Sequence, residues 1–126
     1  MMGSPPLPHY HGDGNGCYCE PEPESEPSES RLYVLVRRDL PKSVQAVQGI
    51  HAVMVLMHRN AWLLAADPTC VTISMLGLIN LGHLNEWRER LGDDAATFCE
   101  PDIGNEPTAL AYYGKAQSGF DQLRLL

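Results

Sequence analysis

The first thirty residues contain no lysine or arginine, yet they hold Asp13, Glu20, Glu22, Glu24, Glu26 and Glu29. Without cations to offset them, and with Glu and Pro alternating from Glu20 to Pro27, this stretch repels itself. It has too little apolar surface to offset the entropy of ordering. A disordered acidic tail is expected over residues 1–30. All nine Lys and Arg then fall in residues 31–126 against ten acids, a net charge of −1 where the whole chain carries −7. Acidity of the whole chain therefore does not exclude a nucleic-acid partner for this part.

Long apolar runs are missing too. The longest, around His51 to Met57, is interrupted by polar residues and is far too short to span a bilayer, so no membrane partner is expected. Met1 to Gly16 has neither a basic start nor an apolar core, so no secretory signal is expected there and the cytoplasm is the expected compartment. Cysteines are few: Cys17 and Cys19 in the tail, Cys70 and Cys99 in apolar surroundings, the latter two expected as small core residues in a reducing compartment. His9-x-His11 and Cys17-x-Cys19 bring four soft ligands together, but one-residue spacings among Gly12, Gly14 and Gly16 do not make the usual zinc loop. The tail is read as unstructured, and no metal or cofactor is expected.

What remains is one domain of ordinary apolar content, 44% over the chain. Leu32 to Val36 is a wholly apolar run of strand formers, as suits a strand covered on both faces. Pro41 and Ser43 open a helix, serine being a favoured N-cap, with Val44, Val47, Ile50, Val53, Met54 and Met57 as its buried stripe and Asn60 as its stop. Gly49 inside that helix costs about 1 kcal/mol against alanine, which points to close packing or a ligand at that spot. Asp67-Pro68 marks a turn, and Val71 to Met75 alternates like a strand. Asn80 caps a second helix bearing Leu84, Trp87 and Leu91, with Trp87 expected in the core, and Gly92-Asp93-Asp94 ends it. Ala96 to Cys99 and Thr108 to Tyr113 are two further strands. Phe120 to Leu126 is an amphipathic closing segment whose Phe120, Leu123, Leu125 and Leu126 are available for docking. The order β-α-β-α-β-β predicts an α/β domain: a four-stranded mixed sheet with helices packed on it.

Two polar clusters follow strand ends, where open α/β sheets hold ligands. The first comprises Arg37, Arg38, Asp39, Lys42, Gln48 and His51, with Gln48 and His51 on one helical face. The second is the loop from Glu100 to Thr108, with Asp102, Asn105 and Glu106 inside it and two prolines and Gly104 shaping it. They meet if the first and third strands point the same way. Plainer roles stand beside the functional ones. Arg37 and Arg38 serve equally as solvated charge, Asp39 as a turn cap, His51 as a hydrogen-bonded structural residue, and Thr108 as the start of a strand.

The ordered set resembles the archaeal and eukaryotic type of peptidyl-tRNA hydrolase. In that family an apolar strand ends in Arg-x-Asp-Leu, a loop carries Gly-Lys-Gly-Lys, and the first helix reads Ala-Ala-Gln-x-x-His-Ala. Here Arg37-Arg38-Asp39-Leu40 resembles the strand end, and Ala46-Val47-Gln48-Gly49-Ile50-His51-Ala52 resembles the helix. Counting back from Gln48, Lys42 falls on the first family lysine and Val44 on the second, the one usually given a catalytic role. Glu100, or Asp102 near it, falls on a family aspartate, and Thr108-Ala109-Leu110 resembles the strand led by the family threonine. The loop between them is short, as in the peptidyl-tRNA hydrolase domain-containing proteins. Leu123-Arg124-Leu125-Leu126 is similar to the family's leucine-rich ending.

The resemblance spans residues 31–126 and implies a type II hydrolase-like fold. It also implies metal-free hydrolysis of the ester between a peptide and the 3′ end of tRNA. On this reading Glu100 or Asp102 is the general base, Lys42 supplies positive charge to the oxyanion, and Gln48 and Thr108 donate hydrogen bonds. Arg37, Arg38, Asp39, His51 and Asn105 contact substrate, with Arg59 a further phosphate contact. The other reading is a binding or adaptor module on the same scaffold, with Val44 where the lysine is expected and the acidic tail engaging a protein partner. A homodimer fits either.

Overall fold

The computed structural model describes residues 30–65 and 67–126. The tail expected over residues 1–30, with His9, His11, Cys17 and Cys19, lies outside the described residues except for Ser30. β1 (Arg31–Arg37) leads into α1 (Lys42–Arg59), β2 (Ile73–Leu78), α2 (Leu81–Leu91), β3 (Ala95–Glu100), β4 (Glu106–Gly114) and β5 (Arg124–Leu125). They form a single α/β domain around one sheet of order β3-β4-β1-β2-β5. β1 runs parallel to β2 and antiparallel to β4; β3 is antiparallel to β4, and β5 to β2.

β1 is central because it is apolar on both faces. Leu32, Val34 and Val36 join Ala52 and Leu56 of α1 on one side of the sheet. Tyr33 and Leu35 join Leu84, Trp87 and Leu91 of α2 on the other. Each side chain as fully buried as Leu35 or Leu84 contributes roughly 1.5–3 kcal/mol. Trp87 is in the core, as its spacing predicts, and Asn80 caps α2 by accepting from the His83 N–H at 3.0 Å. Asn60 closes α1, its side chain donating to the Leu56 carbonyl at 3.1 Å.

Several expectations are corrected. The buried residues of α1 are Gln48, Gly49, Ala52 and Leu56, whereas Val47, Ile50 and Met54 are 47%, 58% and 60% exposed. The sheet beneath α1 is floored by Ala96, Ala109 and Ala111, so small residues face it and the bulky ones turn outward. A Cβ on Gly49 would lie 3.1 Å from Met75 Cε and Val34 Cγ1, the close packing that glycine suggests. Ser43 is not the N-cap: the helix begins at Lys42 after Pro41, without a side-chain cap. The second strand begins at Ile73 and continues to Leu78, past the expected Met75. Cys70 is exposed at the end of a short 3-10 turn, and Cys99 is a half-buried free thiol, so neither is a buried core residue.

The sheet has a fifth strand beyond the four expected, because the closing segment folds back beside β2. Phe120 is buried and Leu123 packs on the α2-side core, but Leu125 and Leu126 stay exposed. Among the described residues no helix is long and apolar enough to cross a membrane.

Candidate active site

β1 and β3 both run antiparallel to β4, so they point the same way. The ends of β1 and β3 therefore share one edge of the sheet with the start of β4. α1 spans from that edge, where Gln48 reaches Glu100, to the opposite one, where Arg59 donates to the carbonyl of Ala95. The two polar clusters meet through this topology.

At the meeting point three side chains form a chain of hydrogen bonds. Thr108 Oγ1 donates to Gln48 Oε1 at 2.6 Å, and Gln48 Nε2 donates to Glu100 Oε1 at 2.8 Å. Thr108 and Gln48 are buried, and Glu100 is half-buried. The orientation is self-consistent: a hydroxyl that donates to the amide oxygen turns the amide N–H groups toward the carboxylate. Thr108 reaches α1 because of a β-bulge. Phe98 pairs with Ala109 and Cys99 with Pro107, which leaves Thr108 as the extra residue. Ala109 and Ala111 face α1, so strict alternation would turn Thr108 toward α2; the bulge re-aims it.

Glu100 also shapes its own loop. Its second oxygen accepts from the Asp102 N–H at 3.2 Å, capping the 3-10 turn Pro101–Ile103. Gly104 and Asn105 then adopt positive φ values of 75° and 62°, and the Asn105 N–H closes onto the Glu100 carbonyl at 2.9 Å. Glycine adopts this conformation freely and asparagine tolerates it better than most residues. The Gln48 amide, then the Asp102 N–H, hold the Glu100 carboxyl below its ordinary range against the opposing effect of burial, and the charge of His51 adds to the lowering. Glu100 is therefore the acid at the meeting point, while Asp102 and Asn105 are exposed beside it.

Arg37 forms a second cluster. Its side chain is only 8% exposed and grips Asp39 with two bonds of 3.0 and 2.8 Å. It also pairs with Glu106 and donates to the Pro107 carbonyl at 3.1 Å, clamping the end of β1 to the start of β4 just ahead of the bulge. Asp39 is held below the usual carboxylate range chiefly by the Arg37 hydrogen bonds, and Arg37 is raised chiefly by Asp39. Glu106 has no assigned role in the sequence reading. The missing information was the pairing of Arg37 across sixty-nine positions.

The remaining candidates divide by position. His51 lies parallel to Phe98, ring centroids 4.5 Å apart, beside Glu100. Val44 sits one turn before Gln48 on the same face. Lys42 is exposed and lies two turns before Gly49, on the side of α1 that faces Val34 and Val36 of β1 and the Met75 side chain. Arg38 is exposed at the end of β1. Arg59, bound to the Ala95 carbonyl at 3.0 Å, is at the far end of α1. Gln48, Glu100, Thr108 and His51 are thus brought together, Arg37 and Asp39 clamp the edge beside them, and Arg38 lies over Gly77 of β2. Among the described residues no group of three or more His, Cys, Asp or Glu is placed to hold a metal.

The arrangement offers an ionised acceptor and an oriented amide with a second N–H, backed by the buried Thr108 hydroxyl, at the strand ends. These are groups able to hold a water molecule and polarise a carbonyl. In comparisons with known proteins, no family model and no curated relative matches this chain.

Proposed function

We propose that this domain hydrolyses the ester between a peptide and the 3′ end of tRNA. The observation that supports this most is the Thr108–Gln48–Glu100 hydrogen-bond chain at the strand ends. It unites residues from α1, the end of β3 and the start of β4, the three places where the hydrolase resemblance puts its site.

Glu100 accepts a hydrogen bond from water and takes its proton as the water oxygen attacks the ester carbonyl. The remaining Gln48 N–H and the His51 imidazole face the developing oxyanion. Collapse of the tetrahedral intermediate breaks the bond to the ribose 3′ oxygen, which leaves with the proton held by Glu100, and the peptide departs with a free carboxyl group. Thr108 fixes the Gln48 amide and so acts as a positioning residue. No step calls for a metal. Such a substrate places the protein in the cytoplasm, and either a monomer or a homodimer can present the site.

Incubating the purified chain with peptidyl-tRNA in the presence of a chelator, and following ester release, tests the reading. Wild-type protein is expected to release peptide, and Glu100→Gln to do so about a hundredfold more slowly, the scale of a lost general base. No release by the wild type would leave the second reading, a binding module on this scaffold. That reading is favoured by one observation: among the described residues no Lys or Arg side chain bonds to Glu100, Gln48 or Thr108, and Val44 occupies the adjoining turn.

A further inference from the structure

Gly77 in β2 is occupied from above by an arginine. A Cβ there would overlap Arg38 Cδ and stand 2.6 Å from its Cγ and 3.2 Å from its Nε. The Arg38 stem therefore lies across the bare backbone of β2, which no residue with a side chain at this position would permit. On the next strand, Arg124 of β5 is the register partner of Gly77. Partners in an antiparallel pair point to the same face of a sheet, about 5 Å apart at Cβ. Gly77 shares its face with Met75, the α1 face, so Arg124 extends over the same surface on which Arg38 rests.

Helical phase adds a third cation. Lys42 lies on the Gly49 face of α1, and Gly49 packs on Val34, Val36 and Met75. Two turns earlier, that phase turns Lys42 toward the β1 side of α1, above the turn that carries Arg38. Among the described residues the ion pairs belong to Arg37 alone, so none of these three cations has an acid partner. An anion that bridged like charges on this surface would offset their mutual repulsion. Arg37, the neighbour of Arg38, is by contrast buried and holds two carboxylates.

We infer that Arg38, Arg124 and Lys42 form a cradle for successive backbone phosphates of a single RNA strand, floored by Gly77. This rests on the proposed function and specifies its substrate contact: the strand leading to the reacting 3′ end runs from Glu100 across β1 and β2 to β5. β5 is four strand spacings from β3, which ends at Glu100, about 19 Å at the usual separation, so the cradle holds phosphates a few nucleotides back from the ester. Phosphate contacts of this kind give affinity and register without reading sequence.

The test is binding of deacylated tRNA to the full chain, by fluorescence anisotropy over a series of salt concentrations, alongside the peptidyl-tRNA hydrolysis assay. Each neutralised phosphate contributes about 0.7 to the slope of log affinity against log salt for a single strand. Arg124→Ala and Arg38→Ala are each expected to lower that slope by about 0.7 and to weaken binding about three- to tenfold, while Arg88→Ala on α2 changes neither. Gly77→Ala retains every charge but displaces the Arg38 stem, and is expected to weaken binding about threefold; circular dichroism confirms that each variant is folded. A slope and affinity unmoved by Arg38→Ala and Arg124→Ala, in folded protein, overturn the cradle even if hydrolysis proceeds. If hydrolysis is absent but the slope falls as expected, the cradle stands as an RNA site and only the esterase reading is lost.

Discussion

On the β4 side of the strand ends the polar side chains answer one another: Thr108 to Gln48, Gln48 to Glu100, Arg37 to Asp39 and Glu106. On the other side, from β1 to β5, Arg38, Lys42 and Arg124 have no acid among the described residues. On the proposed function, the contrast separates two kinds of site. Groups that would keep one orientation through a reaction are held by protein partners, at the cost of being unable to adapt. Groups proposed to meet a mobile, hydrated polyanion are left with their donors free for phosphate.

The strongest attack on this division is Gln48→Ala, which breaks the β4-side chain in the middle. Turnover is expected to fall about a hundredfold while binding of deacylated tRNA is unchanged, since the cradle is untouched. The pH profile carries a second signature. Glu100 must be ionised to act, and the Gln48 amide is the first cause of its lowered pKa. The acid limb of kcat/KM in wild-type protein therefore lies below the ordinary glutamate value near 4.3 and moves up toward it in the variant. A hundredfold loss with an unmoved limb would mean that Gln48 does not act through Glu100.

Next in size is Arg37→Met, which keeps the volume of the side chain and removes the clamp. Loss of a mostly buried ion pair costs several kcal/mol, but Asp39 and Glu106 are 37% and 38% exposed and water takes over part of their solvation. Unfolding in denaturant is expected to show a loss of about 2 kcal/mol at neutral pH. The sign with pH follows from Asp39. Its folded-state pKa is below its unfolded value, so its stabilisation is complete above the unfolded value near 3.9 and disappears as pH falls through the folded one. The gap between wild type and variant should therefore close below about pH 4. A gap that persists in acid would assign the loss to packing instead.

The same contrast explains what could be read from the sequence. Element order, the core Trp87, the Asn80 cap and the tight packing at Gly49 are local properties, set by periodicity, capping chemistry and a missing side chain. The meeting of the two polar clusters was conditional on β1 and β3 pointing the same way, a direction supplied by their common pairing with β4. Three things did not show. The outward turn of Val47, Ile50 and Met54 depends on an alanine floor supplied by β3 and β4, far along the chain. The aim of Thr108 depends on a bulge, which exists only once β3 and β4 are in register. Arg37 and Arg38 are adjacent and chemically identical in the sequence; only Glu106 and Gly77, contributed by other strands, give them opposite environments.

Lys42 provides the finest test, because the two sides of the edge give it different work. The first family lysine falls on it, which suggests help to the oxyanion, and an oxyanion role would lower kcat about tenfold on replacement by alanine. Its helical phase puts it instead on the side of α1 that carries Gly49 and not Gln48, toward β1 and the Met75 side chain. Lys42→Ala is therefore expected to raise KM about threefold and leave kcat within a factor of two, and to lower the salt slope of tRNA binding by about 0.7. Lys42→Arg should restore both, since a phosphate contact requires only a reaching cation. A fall in kcat with an unchanged slope would move Lys42 across the edge to the β4 side, and the cradle would be left with its two arginines.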